Sequence, residues 1–191
     1  MKYLLSSAAA VAFALCAGTP ALHAQSVYPV THFGFAGGAT VPTGDFNSSH
    51  NTGWNAMALL AFQMPTTPIG LRIDADYAHL NGQDPSLISH SRIWSGTLDL
   101  TLGANDLMVT PYAIGGIGLY NMKTFSGGST VSVSPPTDEG SVTKFGWNLG
   151  GGLQFHTTGN ATIFTEARFT SVMTNGGHTN FVPVEFGIMF P

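Results

Sequence analysis

The chain has 191 residues, of which 8% are charged, 43% are hydrophobic and 24 are glycine. Soluble domains carry roughly 25% charged residues, so a water-facing globule fits poorly, and a formal net charge of −4 offers no basic footprint for nucleic acid. Cys16 is the only cysteine, which excludes an intrachain disulfide.

The first segment, Met1 to Ala24, reads as a secretory signal peptide. Lys2 gives the positive start, Leu4 to Ala17 the apolar run, and Ala21-Leu22-His23-Ala24 a small-x-small cleavage site. A transmembrane helix is disfavoured because the run is short and breaks at Gly18-Thr19-Pro20. Lipidation at Cys16 is disfavoured by Leu15, which stands where a small residue is needed. Removal of this segment leaves no thiol for catalysis or metal binding. The mature protein is expected to begin near Gln25 and to form one domain over residues 25–191.

Eight stretches of about ten residues with period-two alternation follow. They run from Thr31 to Val41, Gly53 to Phe62, Ile69 to His79, Arg92 to Leu102, Val109 to Met122, Thr143 to His156, Ala161 to Met173 and Asn180 to Phe190. The third is the clearest: Ile69, Leu71, Ile73, Ala75 and Tyr77 alternate with Gly70, Arg72, Asp74, Asp76 and Ala78. One face of that strand is apolar and the other charged. Short connections (Gln63 to Pro68, Gly103 to Leu107, Thr157 to Asn160) alternate with longer ones (Pro42 to Thr52, Leu80 to Ser91, Lys123 to Val142), and Thr174 to Thr179 is intermediate. Ten residues at about 3.3 Å rise and a tilt of about 40° span roughly 25 Å, the apolar height of a membrane barrel. The predicted fold is all-β, an eight-stranded antiparallel up-and-down transmembrane barrel with short turns at one end and longer loops at the other.

Threading the strands up and down predicts two aromatic girdles on outward positions. Trp54, Tyr77, Trp94, Tyr120 and Phe145 form the outer one, and Phe33, Phe62, Tyr112, Phe155 and Phe190 the inner one. On the opposite parity fall Arg72, Asp74, Asp76, Asp99, Lys144, Glu166, Arg168 and Glu185, eight of the sixteen charged residues. Facing lipid they would be costly, and in a narrow bore they should pair with one another. Neighbouring strands are expected to set Arg168 beside Glu185 and Arg72 beside Asp99. Gly34, Gly38, Gly146, Gly150 and Gly152 share the inward parity and would make room for long side chains. A proton or ion relay is the functional alternative to a structural salt-bridge core.

His50, His79, His90 and His178 fall in or beside the longer loops without metal-ligand spacing. Ser48, Ser49, Ser86 and Ser89 are available in the same loops, as serine is in any loop. No catalytic residue, metal site or cofactor is assigned.

Three stretches carry a resemblance: Phe35 to Phe46 at the first strand and loop, Pro111-Tyr112 with Gly115-Gly116-Ile117-Gly118, and Glu185-Phe186-Gly187-Ile188-Met189-Phe190 at the end. They resemble the small eight-stranded bacterial outer-membrane β-barrels, the OmpA-barrel and OmpX-like group. The resemblance implies the bacterial outer membrane as location and outer-membrane lipid as surroundings. It also implies that the assembly machinery recognises the last strand, whose aromatic is here followed by Pro191. A non-enzymatic envelope scaffold or surface-interaction protein, with a possible external ligand at the loops, is the leading reading. A membrane-embedded lipid hydrolase or acyltransferase and a narrow solute or ion channel are the alternatives. A soluble lipocalin-like barrel would have the opposite parity, with apolar residues lining a cavity.

Overall fold

The computed structural model describes residues 29–64, 67–84, 88–103, 108–126, 137–157, 161–174 and 177–191. The expected signal peptide, Ser86 and the centre of the longest predicted loop lie outside them. The strands are β1 (Val30–Thr43), β2 (Gly53–Gln63), β3 (Ile69–Asn81), β4 (Ile88–Gly103), β5 (Val109–Ser126), β6 (Thr137–His156), β7 (Thr162–Thr174) and β8 (Gly177–Phe190), with a short 3₁₀ turn, Gly44–Ser48, after β1. Each pairs antiparallel with the next and β1 closes on β8, so the sheet is a closed eight-stranded barrel. Closure removes both sheet edges.

Five-residue connections 64–68, 104–108 and 157–161 lie at the end where β1 starts and β8 finishes; the remaining connections lie at the other, loop end. There the strands run further than hydrophobic alternation implies. The expected loops Leu80 to Ser91, Lys123 to Val142 and Thr174 to Thr179 shrink to residues 82–87, 127–136 and 175–176. The added residues are largely Ser, Thr, His and Gly, which hydrogen-bond along a ladder without an apolar partner, so pairing outlasts the greasy face. Register slips between Lys123 and Phe125 of β5 where β6 bulges, and Gly140 there has φ 89°. That left-handed conformation suits glycine.

Burial inverts the arrangement of a water-soluble protein. Leu100, Leu119, Leu149 and Phe186 are 61%, 57%, 62% and 64% exposed on the outer wall, whereas Arg72, Asp74, Asp99, Glu166, Arg168 and Glu185 are at most 3% exposed in the bore. Towards the loop end, Ala78, Leu80, Ile93, Tyr120, Val172 and Phe181 form an apolar layer above these charges, with Phe46 of the 3₁₀ turn packed against it. A second apolar cluster, Met57, Leu59, Phe164 and Met189, fills the side of the bore made by β2, β7 and β8. Side chains fill the barrel, as eight strands require.

Candidate functional site: the charged bore and the loop-end rim

Period two on β3 delivers Arg72, Asp74 and Asp76 to one face, and β4, β7 and β8 bring Asp99, Glu166, Arg168 and Glu185 to meet them. The Arg72 guanidinium donates to both carboxylate oxygens of Glu166 at 2.7 and 2.8 Å. Its Nε and Nη2 donate to Asp74 Oδ2 at 3.0 and 2.8 Å. Arg168 lies 2.9 Å from Asp74 and from Glu166, 3.3 Å from Asp76 and Glu185, and 3.5 Å from Asp99. Asp99 also accepts from Thr97 Oγ1 at 2.5 Å and Asn148 Nδ2 at 2.7 Å. Forked guanidinium contacts and added donors are what make such burial tolerable.

The register sets Arg72 opposite Asp99, yet the side chain turns to Asp74 and Glu166. Glu185 stands opposite Glu166, and Arg168 reaches it diagonally. Lys144, the eighth charged position, is half-buried on β6 opposite Tyr120, nearer the loop end.

Two aromatic assignments are corrected. Tyr112 and Tyr120 are not on the outer wall; they are 6% and 2% exposed inside the bore. The Tyr112 hydroxyl donates to Glu166 Oε2 at 2.5 Å, a partner that lipid could not supply. Space for the two rings comes from β6: a Cβ at Gly152 would lie 2.8 Å from the Tyr112 ring, and one at Gly146 2.8 Å from that of Tyr120. Gly150 makes the corresponding room for Arg168.

The other girdle positions lie on the outer wall. Trp54, Tyr77 and Trp94 form a contiguous aromatic row near the loop end, with centroid spacings of 5.3 and 4.7 Å, and Phe145 is exposed on β6. Phe33 and Phe190 pack at 5.5 Å near the opposite end, where Phe62 and Phe155 also point outward. Trp147 and Phe169, 5.7 Å apart, form a further outward pair that the girdle reading missed, although their parity alone predicts it.

The bore leaves little space. A cavity of about 20 Å³ beside Asn55, Asp76, Arg168 and Glu185 has room for roughly one water. A recess of about 40 Å³ at the opposite end reaches Arg72 between His32, Gln154 and His156. Among the described residues no group of three His, Cys, Asp or Glu could hold a metal ion.

The four loop histidines separate. His50 is buried in the loop-end mouth: Nε2 lies 2.7 Å from Ser91 Oγ, Nδ1 lies 2.9 Å from Ser49 Oγ, and the ring packs on Phe46 at 4.2 Å. Burial pushes its imidazole below the ordinary histidine value, partly opposed by a backbone hydrogen bond to Phe46. Ser49, one of the serines named from sequence, thus meets a histidine, as does Ser91, which was not foreseen there and which also contacts Thr124 Oγ1 at 3.1 Å. Ser48 instead donates to the Asp45 carbonyl. His79 and His90 stack on the outer wall, and His178 is exposed on β8.

No protein-family model matches the chain, and no curated protein matches it. Solved structures do. Neisserial surface protein A superposes with a TM-score of 0.61 at 14% identity over 84% of this chain and 95% of that one. A major outer membrane protein of Thermus thermophilus gives 0.60 at 11%, over 84% and 99%. The outer membrane enzyme PagL gives 0.51 at 17%, over 84% and 99%. At such identities the shared property is the fold, that of a small eight-stranded outer-membrane barrel. Fold alone assigns no chemistry.

Proposed function

We propose that the mature chain is an integral protein of the bacterial outer membrane, a rigid anchor that holds its loop-end rim at the cell surface for envelope support or surface interaction. The inverted distribution of residues carries this reading: an exposed wall of Leu, Ile, Phe and Trp encloses a bore of paired charges. In water so large an apolar surface would drive association; in lipid it is the required face. Residues 1–24 act as the export signal, and the β8 ending Phe186-Gly187-Ile188-Met189-Phe190 serves the assembly machinery. The packed bore favours an anchor over a channel. Fractionation of the native envelope with heat-modifiable gel mobility tests location and closure together. The protein should sediment with outer membrane, migrate differently before and after boiling, and begin near Gln25. Recovery as a soluble protein with one mobility would refute the proposal.

A hydrolase remains the second reading because Ser91 and His50 form a hydrogen-bonded pair. Opening of the Gly44–Ser48 turn would be needed to expose it. Release of fatty acid from envelope lipid, lost on Ser91→Ala and on His50→Ala, would establish that reading over a passive anchor.

A further inference from the structure

Charge in the bore does not balance. Among the described residues, the carboxylates of Asp74, Asp76, Asp99, Glu166 and Glu185 share it with the guanidinium groups of Arg72 and Arg168, and Lys144 lies nearer the loop end. Even with Lys144 counted, the ionised groups leave negative charge in excess by two. Buried charge without a counter-charge is strongly penalised. The excess therefore calls for a further cation or for protons.

The shortfall has a place. Arg168 lies 2.9 Å from Asp74 and Glu166 but 3.3 Å from Asp76 and Glu185, and the Ser95 hydroxyl reaches Asp76 only at 3.4 Å. Asp76 and Glu185, the more loosely held acids, both line the cavity of about 20 Å³, as does Asn55. Asn55 of β2 and Glu185 of β8 stand opposite the same residue of β1, Gly38, which puts no side chain between them. The Asn55 Nδ2 donates to Thr40 Oγ1 at 3.0 Å. Asn55 Oδ1 and Glu185 Oε1 have no hydrogen-bond partner, although the two residues are only 5% and 2% exposed. Buried acceptors normally find a donor, and two on one cavity mark a missing occupant. A water would satisfy both oxygens yet leave the charge unbalanced. A shared proton would lower the charge but fill no volume. A cation answers the charge, the two acceptors and the space together.

We propose that this cavity binds one dehydrated sodium ion through Asn55 Oδ1, Glu185 Oε1 and the Asp76 carboxylate. An all-oxygen set suits a hard cation, but the cavity is too small for the waters that magnesium keeps and offers fewer oxygens than the six to eight that calcium takes. Ala78, Ile93, Tyr120 and Phe181 of the apolar layer roof it, so the ion enters as the barrel closes and its binding adds to the stability of the closed form.

Urea unfolding of the full chain in phosphatidylcholine vesicles tests it, with sodium chloride compared against choline chloride, whose cation is too large for the cavity. In about 0.3 M sodium chloride the unfolding constant should be about tenfold lower than in choline chloride of equal strength, as linkage gives for an ion at about ten times its dissociation constant. Asn55→Leu and Glu185→Gln should each abolish the difference. Asn55→Asp, which adds a carboxylate to the same oxygens, should widen it. Tyr112→Phe, in the charged network but away from the cavity, should keep it. Heat-modifiable mobility reports insertion of each variant, and Glu185→Gln with Asn55→Asp decide the matter if Asn55→Leu does not insert. Equal wild-type stability in the two salts would overturn the site, as would a difference that survives Glu185→Gln, which marks a general salt effect. Stability that follows pH but not sodium would give the cavity to a shared proton. Loss of stability in Asn55→Asp by the same factor in both salts would leave it to water alone, and protection by calcium without sodium would contradict the monovalent assignment.

Discussion

Arg168 lies within 4 Å of five carboxylates, those of Asp74, Asp76, Asp99, Glu166 and Glu185. Removing a buried charge from its partners costs far more than the pair contributes over an apolar substitute. Arg168→Met should therefore destabilise the barrel by about 3–5 kcal/mol, measured as a lower urea midpoint in vesicles. Tyr112→Phe deletes one hydrogen bond to a buried carboxylate and should cost less, about 1–3 kcal/mol in the same assay. A wild-type midpoint for Arg168→Met would mean that water reaches the bore and screens these charges. His50 supplies a pH dependence of defined sign. Its folded-state value lies below the ordinary 6.5 because of burial, so the unfolded mouth binds the proton more readily. The stabilisation is complete above about pH 6.5 and is lost as pH falls through the folded value. Protease cleavage within residues 43–50 should rise on acidification, and His50→Gln should abolish that rise.

At the scale of elements, the sequence was most readable where charge marks parity. In β3, Arg72, Asp74 and Asp76 on one side of Ile73 and Ala75 leave a single orientation, because no lipid-facing strand tolerates three charges in a row of alternate positions. In β5 neither parity carries charge between Thr110 and Asn121, and Ile114 competes with Ile117 and Leu119. A tyrosine has an apolar ring and a polar tip, so Tyr112 and Tyr120 suit an interface girdle as well as a bore. Only the glycines of β6 facing them and the acceptor at Glu166 decide the matter, and both lie on other strands. The pairing of Arg72 with Glu166 rather than Asp99 was unreadable for the same reason: those residues are 94 positions apart and meet across the barrel. The longest hairpin gives a prediction of its own. β5 and β6 pair continuously from Ser126 and Thr137 inward apart from the bulge, and residues 127–136 consist of Gly, Ser, Thr, Val and Pro. Replacing 127–136 by a two-residue Asn-Gly turn should leave assembly and heat-modifiable mobility intact. Loss of assembly would show that this stretch packs into the barrel.

For the whole molecule, the central claim is orientation: apolar wall towards lipid, charge within. A soluble barrel of the same strand count would bury its apolar wall or oligomerise, since Leu98, Leu100, Leu102 and Phe186 could not remain about half or more exposed in water. Nitroxide labels placed singly at Leu98, Leu100, Leu102, Met108 and Lys123, with the protein reconstituted in liposomes, test this directly. The account predicts that collisions with oxygen peak at Leu98 to Leu102 while a water-soluble paramagnetic relaxant reaches only Met108 and Lys123. Uniform access of the water-soluble relaxant along all five positions would contradict it.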